Sequence, residues 1–105
     1  MYVEQLKRYG SYKNLLKYYD RKLAEGVTRE SGVDLQESRA LCAEKIEAIE
    51  RAIESLPDPT ERLLLRLRYI DGKSWTQIGF IIHYSPSSTK RIHRRAIDHI
   101  RGTGS

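Results

Sequence analysis

The stretch SWTQIGFIIHYSPSSTKRIHRR, from Ser74 to Arg95, contains two helix starts that are separated by a short turn. Ser74 and Gln77 have the spacing of a capping box, in which each side chain binds a backbone N–H group of the first turn. Ser85 followed by Pro86 marks the second start, because serine caps a helix and proline fits its first position. A short helix, a tight turn and a second helix predict a helix-turn-helix motif.

The second of these helices, predicted to end at about Arg101, has two faces of opposite character at roughly 100° per residue. The apolar face contains Thr89, Ile92, Ala96, Ile97 and Ile100. The opposite face contains Ser87, Lys90, Arg91, Arg94 and Arg101, with Arg95 beside it. A solvated helix would mix the two signs of charge, but one acid, Asp98, stands here against five cations. The second helix of this motif enters the major groove, so the pattern favours double-stranded DNA as the partner.

A third helix is predicted immediately upstream, in the segment that begins LPDPTE at Leu56. Asp58 is the expected N-cap, Pro59 fits the first helical position, and Glu61 has the spacing of a capping box. The predicted buried stripe of this helix consists of Leu63, Leu64, Leu67 and Ile70. The segment DGKS, residues 71–74, then forms a turn before the helix-turn-helix.

The amino-terminal half is predicted to form an antiparallel helical hairpin. Residues 2–25 and about 35–56 have helical spacing of apolar residues, and the loop EGVTRESGV joins them. In the second helix Cys42, Ile46, Ile49, Ile53 and Leu56 follow steps of 4, 3, 4 and 3, which is typical of a coiled-coil seam. The predicted fold class is therefore all-α, with a coiled-coil-like hairpin over 1–56 and a helix-turn-helix unit over 57–101. Residues 102–105 are predicted to be a disordered tail whose composition resembles an expression linker.

The charge of the chain is unevenly distributed along its 105 residues. Residues 1–26 carry 6 Lys and Arg against 3 acids, residues 27–55 carry 4 against 7, and residues 56–105 carry 9 against 4. Such basic segments are an argument about partners and favour a polyanion. The single cysteine and the lack of a signal or membrane-spanning pattern predict a cytoplasmic protein without a membrane partner. No phosphate loop, metal-ligand spacing or nucleophile motif is present, so we expect no enzyme, no cofactor and no metal site.

The segment from Leu56 to Arg101 resembles region 4 of bacterial sigma-70-type factors. The resemblance rests on the block RLRYIDGKSW, the pair Ile78-Gly79, Ser85 at a helix start and the ending RRAIDHIR. The rest of the chain is unlike a sigma factor. With its preceding hairpin, the whole resembles small phage- or prophage-encoded regulators of transcription, which implies sequence-specific DNA binding and a contact with RNA polymerase.

The resemblance also implies roles for individual residues of the last helix. Its base-facing positions correspond to Pro86, Ser87, Lys90 and Arg91, and its positions near phosphates correspond to Ser88, Arg94 and Arg95. For Lys90 and Arg91 the alternative is phosphate contact only, and for Arg94 and Arg95 it is ordinary surface charge. His83 departs from the family pattern, since it stands where the turn usually has a glycine with positive φ.

Two further readings of the whole chain compete with a DNA-binding regulator. A DNA-packaging adaptor, similar to a small terminase subunit, would also combine a helix-turn-helix with helical oligomerisation. A protein-interaction module would grip RNA polymerase without binding DNA. The apolar and aromatic surface of the hairpin predicts a homodimer, which is the usual way for one recognition helix to read two half-sites.

Overall fold

The computed structural model describes residues 3–102, which form six α-helices and one small antiparallel sheet. The elements are α1 (Val3–Lys7), α2 (Tyr9–Ala24), β1 (Arg29–Glu30), β2 (Val33–Asp34), α3 (Leu35–Glu54), α4 (Pro59–Leu65), α5 (Trp75–Ile82) and α6 (Pro86–Gly102). A π-helical turn, Arg66–Ile70, continues α4 without a break. The all-α prediction is confirmed, since the sheet contains only two residues in each strand.

Helices α2 and α3 pack against each other in opposite directions. Near the connecting loop Asp20 forms an ion pair with Arg39, and at the far end Tyr9 Oη donates a hydrogen bond of 2.7 Å to Glu50 Oε1. Burial and this hydrogen bond raise the pKa of Tyr9 to about 12. Between them Cys42 Sγ donates to the Tyr12 carbonyl oxygen at 3.0 Å, and burial raises the pKa of its thiol. The five residues of the predicted seam are all buried. That α2 and α3 pack with the geometry of a coiled coil stays a prediction.

Two local features of this hairpin differ from the sequence prediction. The first helix is interrupted at Arg8, between α1 and α2, so it is not one continuous helix. The loop between α2 and α3 contains β1 and β2, with Arg29 opposite Asp34 and Glu30 opposite Val33. The two residues between the strands, Ser31 and Gly32, have φ of 50° and 80°. A two-residue turn with positive φ at both positions matches the right-handed twist of a β-hairpin.

The helix starts of the carboxy-terminal unit lie where the sequence predicts them. Asp58 Oδ1 accepts a hydrogen bond of 2.8 Å from the Thr60 N–H, and Ser85 Oγ accepts one of 3.3 Å from the Ser88 N–H. Ser74 and Gln77 form the predicted capping box, with bonds of 3.2 and 3.0 Å. These local caps explain why three helices begin at these positions.

The buried face of α4 differs from the prediction by one position. Leu63 is 41% exposed, whereas Leu65 and the carboxyl-bearing Glu61 are almost fully buried. Three consecutive leucines leave open which of them face the core, and the predicted stripe included Leu63 in place of Leu65. The Glu61 carboxylate instead accepts hydrogen bonds from α6, so it does not close a capping box.

The hydrophobic core is continuous from the hairpin to the helix-turn-helix. One cluster of buried side chains includes Leu6 of α1, Ile53 of α3, Leu64 of α4, Ile78 of α5 and Ile100 of α6. The Arg66 guanidinium also forms an ion pair of 2.7 Å with Glu54, which joins the π-helical turn to α3. The two predicted units, residues 1–56 and 57–101, therefore share one core, and the boundary between them at residue 56 stays a prediction.

Helix α6 extends one residue beyond its predicted end at about Arg101. Gly102, predicted to begin a disordered tail, is the last residue of α6, and residues 103–105 lie outside the described part. Within residues 3–102, none of the helices has the length and apolar character that crossing a membrane requires.

Candidate nucleic-acid interface

Helix α6 is held to the body of the protein by its apolar face, as the wheel predicts. The five residues predicted for that face are between 0% and 9% exposed. The Thr89 hydroxyl donates a hydrogen bond of 2.8 Å to the Ser85 carbonyl, which satisfies its buried oxygen. Helix α5 approaches closely at Gly79, where an added Cβ would stand 3.0 Å from the Tyr84 carbonyl oxygen. The lack of a side chain at Gly79 thus allows the turn and Thr89 of α6, 3.4 Å from the same point, to lie against α5.

The turn between α5 and α6 depends on a left-handed residue. His83 ends α5 with φ of 62° and ψ of 43°, and the Tyr84 N–H donates to the Gly79 carbonyl at 3.1 Å. Positive φ at His83, expected from the family pattern, is confirmed. This conformation reverses the chain direction within a few residues and presents the start of α6 to solvent.

Most of the predicted contact residues share the outer face of α6. Pro86, Ser87, Lys90, Arg91 and Arg94 are exposed, and Ser88 is half-buried. The Arg91 guanidinium donates a hydrogen bond of 3.0 Å to Ser88 Oγ. Within residues 3–102, no carboxylate lies within 4.0 Å of the charged nitrogens of Lys90, Arg91 or Arg94. Three neighbouring cations therefore remain available to an external anion.

A cleft of about 400 Å³ follows this cationic face on one side of α6. It is lined by Trp75, Lys90, His93, Arg94, Ile97, Asp98 and Arg101. Three of these residues are cations and one is an acid, so the cleft has an excess of positive charge. An anionic backbone that lies along α6 would be attracted over the length of this cleft.

Arg95 is placed differently from the other predicted contact residues. Its Nε atom lies 2.9 Å from Glu61 Oε2, and its Nη2 atom lies 3.3 Å from Asp58 Oδ2. Nδ1 of His99 lies 2.7 Å from the other oxygen of Glu61, whose side chain is 1% exposed. The phosphate contact suggested for Arg95 stays a prediction, and these ion pairs argue for an internal role.

An aromatic cluster supports α6 from beneath. Tyr69 Oη and His93 Nε2 share a hydrogen bond of 2.7 Å, and the His93 ring packs edge-on against Trp75 with centroids 4.8 Å apart. The Arg68 guanidinium covers the Trp75 ring at 4.4 Å. Burial lowers the pKa of His93, and the charges of Arg68 and Lys7 lower it further, which favours a neutral imidazole. Trp75 is therefore a packing residue at the helix junction.

Sequence reasoning missed the buried carboxylate beneath α6. Glu61 gave no signal of burial, because an acid in the first turn of a helix is commonly exposed. Its partners Arg95 and His99 follow 34 and 38 residues later in the chain. Only the folded protein brings Arg95 and His99 to Glu61, and these contacts identify Glu61 as a residue that supports α6.

The arrangement defines a class of protein: a helix-turn-helix unit whose second helix exposes Lys90, Arg91 and Arg94, three cations that have no acidic partner within residues 3–102. Residues 52–102 match the family model described as Sigma-70, region 4, which is 51 of the 105 residues. Residues 52–102 are thus a sigma region 4-like helix-turn-helix. Comparison of the whole chain with curated proteins and with solved structures found no match.

Proposed function

We propose that this protein is a sequence-specific DNA-binding transcription regulator that uses α6 as its recognition helix. The observation that carries the proposal is the outer face of α6, where Lys90, Arg91 and Arg94 are exposed and, among the residues that the structure describes, have no carboxylate partner. The region 4-like fold supports the same conclusion, because it positions such a helix for the major groove.

The start of α6 is suited to a close approach to the duplex. Residues 85–88 are Ser-Pro-Ser-Ser, and their short side chains leave the first turn accessible. The positive end of the helix dipole favours negative charge, so this end would meet the phosphates or base edges first. In the proposed complex Lys90 and Arg91 reach base edges and Arg94 binds a phosphate, as the family resemblance implies.

We propose that this DNA binding serves phage or prophage transcription, with RNA polymerase as a second partner. The resemblance of the chain to small phage regulators supports this role. We extend the proposal to self-association of the hairpin as a homodimer, in which Leu15 on α2 and Leu41 on α3, 43% and 52% exposed, would be covered. We propose that the protein binds DNA without catalysing a reaction. We further propose that it acts in the cytoplasm, where it has access to DNA.

The decisive experiment removes the three unpaired cations of α6. In the variant Lys90→Gln, Arg91→Gln, Arg94→Gln, specific DNA binding should be lost, while the far-ultraviolet circular dichroism signal stays unchanged. For the unchanged protein, log affinity should fall with log salt concentration by about 0.9 for each neutralised phosphate. Binding would first be measured on duplexes selected from random sequence, which also supplies the operator.

A matched control removes the same amount of charge elsewhere. Arg29, Lys45 and Arg51 each have an intramolecular contact, with the Gly32 carbonyl, the Tyr12 ring and Glu47 respectively. The variant with glutamine at these three positions has the same net charge as the α6 variant and should retain DNA binding. Full affinity in the α6 variant would contradict the proposed recognition helix.

A further inference from the structure

The basic amino-terminal segment is not explained by the recognition helix. Residues 1–26 carry 6 Lys and Arg against 3 acids, yet α6 contains none of these cations. Three of them, Lys13, Lys17 and Arg21, are four residues apart in α2 and are all exposed. Residues at i and i+4 lie above one another on a helix, so the three form one line of positive charge, here called the α2 stripe.

The α2 stripe lacks the acidic partners that four other cations of the hairpin have. Lys7 pairs with Glu4 at 3.9 Å, Lys22 with Glu30 at 3.6 Å and Arg51 with Glu47 at 3.6 Å, and Arg39 pairs with Asp20. In the part of the chain that the structure describes, no carboxylate lies within 4.0 Å of the stripe's charged nitrogens. Within its own helix, the Arg21 guanidinium lies 5.5 Å from the centroid of the Tyr18 ring.

Helix stability does not account for this arrangement. Like charges at i and i+4 repel one another and weaken a helix, whereas Glu and Lys at the same spacing would strengthen it. Helix α3, which packs against α2, lies in the acidic segment of the chain, yet its carboxylates do not reach the stripe. The charge is therefore left for a partner outside the chain.

The residues around the stripe indicate the chemistry of that partner. At about 100° per residue, Gly10 and Ala24 fall between the three cations, while Asn14 and Asp20 stand at the two edges of this face, and the Asp20 carboxylate is paired with Arg39. This face has no large apolar side chain, whereas the centre of a protein–protein interface is usually apolar and often aromatic. A phosphate backbone, in contrast, is bound by cations and small polar groups with little apolar contact.

We propose that the α2 stripe binds backbone phosphates of double-stranded DNA that flanks the segment read by α6. Successive cations of the stripe are about 6 Å apart along the helix axis, so the stripe spans roughly 12 Å and contacts a few phosphates. The contact is independent of sequence and adds affinity and salt dependence to the specific complex. This inference rests on the proposed function, because it names a second surface of the same DNA complex.

The test compares the variant Lys13→Gln, Lys17→Gln, Arg21→Gln with the control variant Arg29→Gln, Lys45→Gln, Arg51→Gln, which loses the same charge. Each would be titrated with a selected duplex of about 40 base pairs, roughly 140 Å long at about 3.4 Å per pair, and with one of about 12 pairs. On the long duplex the stripe variant should lose about two to three units of slope in log affinity against log salt. The control should keep the slope of the unchanged protein, and the short duplex should show no difference.

Several outcomes would overturn the inference, and they differ from the failure of the proposed function. If the α6 variant loses binding but the stripe variant keeps its slope on the long duplex, the stripe has no part in the complex and the recognition helix stands. An equal loss of slope on the short duplex would exclude flanking DNA. A change in sedimentation of the stripe variant without DNA, together with an unchanged slope, would assign the stripe to a second copy of the chain. Binding that survives in the α6 variant would instead contradict the proposed function.

Discussion

At the scale of single residues, His83 shows what a helix-turn-helix requires of its turn. The chain must enter the left-handed region there, with φ of 62°, in order to bring α6 across α5. For a residue with a Cβ this conformation costs about 1 kcal/mol or more, and glycine avoids that cost. The sequence predicts the strain because His83 stands where glycine is usual.

We therefore expect His83→Gly to stabilise the protein. The gain should be up to about 1 kcal/mol, since the strain relieved exceeds the added entropy of the unfolded chain by a modest margin. Chemical denaturation of both proteins at neutral pH measures this difference. His83→Ala keeps the Cβ and should show no such gain, and equal stability of all three proteins would contradict the interpretation.

His93 is the second residue whose environment has a measurable consequence. Its ring lies between Tyr69 and Trp75, and burial, together with the charges of Arg68 and Lys7, lowers its pKa below the ordinary value of 6.5. In the unfolded chain the imidazole takes up a proton at a higher pH than in the folded protein. The contribution of His93 to stability is therefore complete above about pH 6.5 and is lost as the pH falls toward the folded-state pKa.

The corresponding experiment measures the free energy of unfolding from pH 7.5 to pH 5 for the unchanged protein and for His93→Gln, roughly the range over which an imidazole titrates. The unchanged protein should lose more stability than the variant below about pH 6.5. Subtracting the two curves removes the carboxylates that also titrate in acid. A difference that does not vary with pH would show that the folded and unfolded states protonate His93 equally.

At the scale of elements, Glu61 joins α4 to α6. Both oxygens of its buried carboxylate accept hydrogen bonds, one from Arg95 at 2.9 Å and one from His99 at 2.7 Å. Because the carboxylate is inaccessible to water, these two bonds set the position of the recognition helix. They also explain why α4 buries Leu65 and exposes Leu63, since the face of α4 that bears Glu61 must point at α6.

Replacing Glu61 by glutamine should destabilise the protein by about 2 kcal/mol. The side chain keeps its shape, but an amide has one acceptor oxygen where two donors require partners. Urea denaturation measures the change. Glu44→Gln removes an exposed carboxylate from α3 and should have little effect. Equal stability of the Glu61 and Glu44 variants would show that the network does not hold α6 in place.

At the scale of the whole molecule, one hydrophobic core connects the hairpin to the helix-turn-helix. Ile53 of α3 is completely buried in the cluster that includes Ile78 and Ile100. A continuous core of this kind favours unfolding in a single step rather than one unit at a time. The recognition helix would then be only as stable as the hairpin on which it rests.

Ile53→Ala tests this coupling. The substitution should cost about 2–5 kcal/mol through the lost burial and the cavity, and it should lower the stability of both halves together. The fluorescence of Trp75, the single tryptophan, reports on the helix-turn-helix, and circular dichroism reports on all helices. The two transitions should coincide. Leu63→Ala, at an exposed position of α4, should change little, and an unaffected Trp75 transition in the Ile53 variant would contradict a shared core.

The sequence by itself determined the features that depend on near neighbours. The caps at Asp58, Ser74 and Ser85, the turn at His83 and the two faces of α6 each involve residues within a few positions of one another. Helical periodicity and capping chemistry are local, so they can be predicted without a fold. The helix-turn-helix and most of its exposed contact residues followed from them.

Only the tertiary structure decided which charges remain available to a partner. Arg94 and Arg95 are adjacent basic residues of one helix, yet over residues 3–102 Arg94 has no carboxylate partner and Arg95 is paired with Asp58 and Glu61. The two partners of Arg95 lie more than 30 positions away in the chain, and no periodicity encodes that distance. The phase of α4 and the burial of Glu61 were fixed in the same way, because the free energy of a buried carboxylate depends on the donors that the fold places beside it.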